Sequence, residues 1–399
     1  MIFKSAIVCD VNGERECDLR AENGVIAEIG IDIKGDETTD AKGLYLMPLL
    51  VDLNIKTTDS TLNEKNIKAV AQEALKTGIG HIVLNPDCTP AIDNEIVLEF
   101  VQNGLHELSG ARVDLMINAL KEDATLSDIA ILLKRGAVAP YMSTIAKNDV
   151  AIKIAQYAQM YGVTIFCKAE DNSLISSGVM LEGNVSSTLG LAGIPDLSEV
   201  LHVSRMIEIA RHFKIKILFK AIASPRSIYL INKAKSEGVN VTCEVSIHHL
   251  LNSDEACKNF NTTAKLNPPL SSKADMKLLQ EALKNSQIDI LTTLHKPSSP
   301  VRKEVAFYDA AYGCEGLLHA MSLYYTKLVK SKIISLSRLL ELCVRNPLNA
   351  IGQNGGEIKV GQRASFMLFD PSKKVTVDEK LSLYNGEELY GEVREIINY

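Results

Sequence analysis

From Pro48 onward short apolar runs alternate with helical patterns, and that rhythm confines the chain to βα units built around a parallel sheet. The runs fall at Leu49–Leu53, Ile79–Leu84, Arg112–Asn118, Ala137–Tyr141, Thr164–Lys168, Lys216–Ala221, Asn240–Val245 and Ile288–Thr293. Helical periodicity separates them over Leu62–Thr77, Ala91–Asn103, Leu126–Lys134, Asp149–Tyr161, Glu199–Phe213 and Ile228–Ser236, with Gly78, Gly136 and Gly238 as stop signals. Eight strands in this order predict a closed (β/α)8 barrel, whose chemistry sits at the carboxyl ends of its strands.

The two ends of the chain read differently. Residues 1–47 are short strand patterns (Ile2–Val8, Cys17–Ala21, Val25–Ile29, Gly43–Met47), with Asn12-Gly13 and Asn23-Gly24 as hairpin signals. After helical stretches at 316–328 and 335–344, strands return at Ser365–Phe369, Lys374–Val377 and Val393–Asn398. The expected organisation is therefore a small β-sandwich made by residues 1–47 and 346–399, beside a barrel over 48–345.

A net charge of −6 and a pI near 5.8 argue against a nucleic-acid surface, which needs a basic stripe. Eight cysteines without a C-x-x-C pair predict reduced thiols and no disulfide frame. No signal peptide and no run of eighteen apolar residues is found, so a soluble cytoplasmic protein without a membrane partner is expected.

The first barrel strand, Met47-Pro48-Leu49-Leu50-Val51-Asp52-Leu53-Asn54-Ile55-Lys56, turns polar at its end. Alternate residues share a face, so Asn54 and Lys56 project together toward the mouth. This strand resembles the Asp-x-His-x-His strand of cyclic amidohydrolases, and of dihydroorotases in particular. The resemblance extends through Gly178-Val179-Met180-Leu181-Glu182-Gly183-Asn184-Val185-Ser186 and Leu189-Gly190-Leu191-Ala192-Gly193-Ile194-Pro195. It continues in Glu244-Val245-Ser246-Ile247-His248-His249, Asn267-Pro268-Pro269-Leu270, Tyr324-Tyr325-Thr326-Lys327, Asn346-Pro347 and Gly356-Glu357-Ile358-Lys359-Val360-Gly361. The Gly178–Pro195 segment resembles the dihydroorotase branch that partners aspartate carbamoyltransferase, rather than the dihydropyrimidinase-like structural proteins.

Opening a cyclic amide at neutral pH takes a hydroxide and a Lewis acid, which the family obtains from zinc at the barrel mouth. The resemblance places the metal and catalytic positions at Asn54, Lys56, Lys168, Ala221 and Leu294, and the acidic pair of the fourth strand is replaced around Pro140-Tyr141-Met142-Ser143. Amide, ammonium, methyl and isobutyl groups stand where imidazoles and carboxylates are needed, so neither a metal site nor a catalytic residue is expected. The substrate-binding positions implied by the resemblance are Thr58, Asp87, Asn267 and His295, with Thr58 in place of the family's arginine.

Lys56 and Lys168 are expected to pair with Asp52, Glu170 or Asp87 and fill the space with charge. His248 and His249, as neighbours on a strand, face opposite ways and read as structural. His81, His106, His202, His212 and His319 are scattered singly, and Cys167 beside Lys168 reads as a small buried hydrophobe rather than an activated thiol. The leading expectation is a non-catalytic dihydroorotase homologue that binds and stabilises aspartate carbamoyltransferase in a homo- or hetero-oligomer. The alternatives are an active zinc-dependent dihydroorotase and a metal-free binder of a small anion.

Overall fold

A computed structural model describes residues 1–105, 109–144 and 146–399. Eight parallel strands, here β1 to β8, run Leu50–Ile55, Ile79–Leu84, Arg112–Asn118, Ala139–Met142, Thr164–Lys168, Lys216–Lys220, Val241–Ser246 and Ile290–Thr292. Each pairs with the next in chain order, from β1 through to β8. The first strand is buried at every position, as a strand covered on both faces must be.

Closure between β8 and β1 is made by side chain and backbone together. Asp52 accepts hydrogen bonds from the Thr292 hydroxyl at 2.6 Å, and from the Thr293 hydroxyl and N–H at 2.6 and 2.8 Å. Beyond it, Lys56 N–H donates to the His295 carbonyl at 2.9 Å. The expected (β/α)8 barrel is thus present.

The helix Glu64–Lys76 that follows β1 is capped by the Asn63 side chain, which accepts from Asn66 N–H. It buries Ile67, Val70, Ala71 and Ala74 against the barrel. Gly78 ends the turn at φ +89, and a Cβ there would come within 2.7 Å of Met367 Sδ. Glycine is required because the underside of the barrel meets the terminal sheet here.

The sandwich of the terminal segments is hydrogen-bonded as one seven-stranded sheet: Ile2–Asp10, Gly13–Glu22, Val25–Gly30, Thr38–Asp40, Tyr45–Pro48, Ser365–Thr376 and Glu388–Asn398. Both hairpin signals sit at turns, closing Asp10 onto Gly13 and Glu22 onto Val25. Phe3, Val8, Leu19, Leu46, Phe366 and Leu368 form its own core, separate from that of the barrel. All eight cysteines are free thiols. Among the described residues no helix is long and apolar enough to cross a membrane.

The Gly178–Pro195 stretch folds as a small ribbon, Met180–Leu181 beside Gly193–Ile194, around the helix Asn184–Leu189. Val179 and Met180 pack on Leu266, Leu270, Phe307 and Cys314, which fixes the ribbon next to the barrel mouth.

Candidate functional site

The carboxyl ends of the strands surround a cavity of about 120 Å³. Of the positions singled out from the sequence, Asn54, Lys56, Lys168, Ala221 and Leu294 all line it, together with Asp87, Asn267 and His295. Thr58 does not line it and is exposed in a short turn beyond the strand end. The chain leaves β1 in a 3-10 turn at Thr58–Ser60.

Four ammonium groups converge here. Lys56 pairs with Asp87 at 2.5 Å and Lys168 with Glu170 at 3.0 Å. Asp52 takes no part, because its two oxygens are occupied by Thr292 and Thr293. Lys220 and Lys296 complete the set, and neither was singled out from the sequence. Lys220 ends β6 next to the aligned position Ala221 and is 4 % exposed. Its ammonium donates to the Leu53 carbonyl and to Asn85 Oδ1, and lies 5.4 Å from the centroid of the Phe166 ring.

From Lys220 a row of hydrogen bonds crosses the barrel. Asn85 Nδ2 donates to Asn54 Oδ1 at 2.6 Å, and Asn54 Nδ2 donates to Glu244 Oε1 at 2.6 Å. Four strands (β6, β1, β7 and the end of β2) are joined by this row, with a cation at one end and a carboxylate at the other. Burial lowers the Lys220 pKa while Glu244, Asp52 and Asp87 pull it back up. Burial raises that of Glu244, and Lys220 opposes it. Each end of the row therefore offsets part of the cost of burying charge at the other.

This donor set does not fit zinc. A carboxamide oxygen already taken by Asn85, four ammonium groups, a methyl and an isobutyl group stand at and around the expected ligand positions. Asp87 is engaged by Lys56. Ala221 and Leu294 keep left-handed backbones (φ 50 and 49), a conformation that costs such residues about 1–2 kcal/mol.

Among the described residues, three carboxylate and imidazole groups close enough to hold an ion occur together once, at Glu73, His295 and Glu315. His295 is 1 % exposed, and its Nδ1 lies 3.1 Å from Glu315. Burial disfavours a charged ring, but Glu315, Glu73 and Asp52 outweigh it and raise the His295 pKa. Burial would likewise raise Glu315, yet His295 and the N–H groups of Leu317 and Leu318 hold it at about 2. Glu315 is thus engaged both by the ring and by two backbone N–H groups, and Gly316 N–H also approaches His295 Nδ1 at 3.3 Å.

Four of the remaining histidines, His81, His202, His248 and His249, have polar partners. His248 and His249 lie on a short helix, Ile247–Leu251, rather than on the strand, because Ser246 caps it and accepts from His249 N–H. His248 contacts Tyr384 and Cys314, and His249 contacts Ser246 and the Pro268 carbonyl. His202 meets Cys167 at 3.3 Å; burial pushes that thiol up to about 12, which leaves it protonated and unreactive. His81 pairs with Asp114 on neighbouring strands. His212 is exposed on its helix and His319 is half-buried, while His106 lies outside the described residues.

Asn267 donates to Glu170 Oε2 at 3.1 Å. Because that oxygen can only accept, the Asn267 carbonyl oxygen faces elsewhere, and it has no donor. Lys296 has no carboxylate of its own among the described residues. Burial, with the charges of Lys56, Lys168 and Lys303, lowers it to about 8 against the pull of Asp87.

No protein-family model matches the chain. It is 35 % identical over 409 aligned positions to a dihydroorotase of Ruminiclostridium cellulolyticum, covering 98 % of this chain and 95 % of the relative. A dihydroorotase of Acetivibrio thermocellus is 32 % identical, with 98 % and 96 % covered. Among solved structures, the L-hydantoinase of Arthrobacter aurescens superposes with a TM-score of 0.88 at 21 % identity, covering 100 % of this chain and 94 % of that one. The last likeness concerns the fold alone.

Proposed function

Because the chain belongs to the dihydroorotase family, we propose that it is a member that has given up metal-dependent hydrolysis and serves pyrimidine biosynthesis through its surface. In this reading it is a non-catalytic scaffold that binds aspartate carbamoyltransferase in a hetero-oligomer. The observation that carries it is the hydrogen-bonded row from Lys220 through Asn85 and Asn54 to Glu244, which occupies the mouth with groups that repel or ignore a dication. An interface tolerates such a change so long as the barrel stays packed, and the barrel core is continuous.

Elemental analysis and a dihydroorotate hydrolysis assay on the purified chain test the first half; sub-stoichiometric zinc and no turnover are expected. For the partner, mixing with aspartate carbamoyltransferase is expected to give one co-eluting species and a more heat-stable carbamoyltransferase. Two separate peaks would remove the scaffold role.

The relatives favour a second reading, an active zinc-dependent dihydroorotase. They carry that name and align with nearly the whole chain, and taken without the mouth they weigh toward activity. Stoichiometric zinc with turnover that a chelator abolishes would establish it and overturn the first reading.

A further inference from the structure

Three of the four lysines at the mouth are matched: Lys56 by Asp87, Lys168 by Glu170, and Lys220 by Glu244 through the row. Lys296 is the fourth, and among the described residues its nitrogen has no carboxylate to pair with. The charges of the mouth therefore balance when Lys296 is a free amine, and one cation is left over when it is an ammonium. Burial and the nearby Lys56, Lys168 and Lys303 favour the free amine. A desolvated lysine beside other cations is the form of this side chain that attacks a carbonyl carbon.

The backbone fixes where that amine starts from. Lys296 N–H donates to the Cys314 carbonyl at 3.2 Å, and His295 pairs with Cys314 as a bridge between strands. Pro297 follows, which disfavours a helical backbone at Lys296. Gly313 lies against the lysine stem: at φ +110, a Cβ there would come within 2.8 Å of Lys296 Cβ and Cγ. A side chain at 313 would push the stem aside, so glycine is what leaves room for it. The cavity that Lys296 lines measures about 120 Å³. That is the share of about four waters at about 30 Å³ each, which limits an occupant to a few heavy atoms.

We propose that Lys296 is a nucleophile that captures a small uncharged aldehyde or ketone as an imine at the barrel mouth. The amine nitrogen attacks the carbonyl carbon, and the resulting carbinolamine loses water. The oxygen of that water comes from the carbonyl and both its hydrogens from the amine, so no oxidant or reductant is consumed. Hydrolysis by the same route releases the compound. An uncharged partner suits a mouth whose other three cations are already matched. This activity is separate from opening a cyclic amide. It rests on the metal-free reading of the mouth, and it is independent of any protein partner.

The test treats the full chain, in EDTA at neutral pH, with acetaldehyde and sodium cyanoborohydride, which reduces imines in preference to aldehydes. Peptide mass spectrometry then locates the ethyl groups. Lys296 is expected to be labelled about tenfold or more faster than Lys233 on the outer helix Pro225–Ser236, because only a free amine attacks. Without the reductant the adduct is expected to be lost on dialysis, as a reversible imine must be. Lys296→Arg should remove the fast labelling and leave the slow labelling of Lys233. Should that variant fail to fold by circular dichroism, the map of the unsubstituted chain still decides. Equal rates at Lys296 and Lys233, fast labelling at Lys56, Lys168 or Lys220 instead, or an adduct that survives without reductant would each overturn the proposal. Stoichiometric zinc in the purified protein would sink the metal-free reading itself, whereas zinc-free protein whose Lys296 stays unlabelled sinks only this activity.

Discussion

The barrel mouth and the shell just outside it treat buried polarity in opposite ways. Inside, at the positions that resemble a metal centre, the polar groups are ammonium, carboxamide and carboxylate, arranged as opposite charges joined by hydrogen bonds. Outside, between the strands and the surrounding helices, they are imidazoles: His202 against Cys167, and His248 and His249 against Tyr384, Ser246 and Pro268. Burial pushes these three rings down, to about 3, 3 and 4, so they are neutral at pH 7. His202, His248 and His249 are therefore held where a neutral ring packs well, away from the mouth wall that His295 lines. What distinguishes a ligand from a core histidine is the face it is on, and a tally of histidines says nothing about that.

Acid separates the two regions most strongly. A neutral buried ring takes its proton later than the same ring in the unfolded chain. Stability is thus full above the ordinary imidazole value of about 6.5 and falls as pH drops toward the folded values. Each of the three rings costs about 1.4 kcal/mol per pH unit over that window. Glu199 works the other way: burial raises it to about 7, so its contribution is full at low pH and lost as pH rises, and it offsets one ring. Urea midpoints are expected to fall steeply between pH 6.5 and 4; a flat profile would mean the shell is not dry.

Next in size is the row itself. Lys220→Met removes the charge that opposes the burial of Glu244 and takes the donor from Asn85, and a loss of about 3–5 kcal/mol is expected from denaturant titration. Adding Glu244→Gln should recover most of it, because the two ends depend on one another. If the single and double variants are equally unstable, the charges are not coupled.

Asp52→Asn comes third. It weakens the seam between β8 and β1 by turning one of the two acceptor oxygens facing Thr292 and Thr293 into a donor, at about 2–3 kcal/mol. Smallest is Lys374→Ala, which removes an exposed ion pair to Glu388 on the terminal sheet. No measurable change is expected there. A large one would mean that the sheet, and not the barrel, limits unfolding.

These regions were not equally legible in the sequence. The strands were, because a strand buried on both faces announces itself as an apolar run: Ile79–Leu84 and Thr164–Lys168 lie where the hydropathy placed them. Asn54 and Lys56 followed from alternation at the end of the first strand. Lys220 escaped notice because the alignment pointed to its neighbour Ala221 and because a lysine closing a strand usually reaches water. Lys296 lies just past the aligned triplet Thr293-Leu294-His295, where no motif draws the eye. His248 and His249 were read as strand residues, since nothing in an apolar run says that Ser246 will turn its hydroxyl to cap a helix. Thr58 was placed by its offset from Lys56, and that offset crosses the end of the strand.

The mutual dependence of Lys220 and Glu244 also bears on how the mouth can be redesigned. Exchanging either terminus alone removes the opposite charge that offsets burial at the other. Replacing both together, with Asn54 and Asn85 between them, is the exchange that keeps every polar group matched.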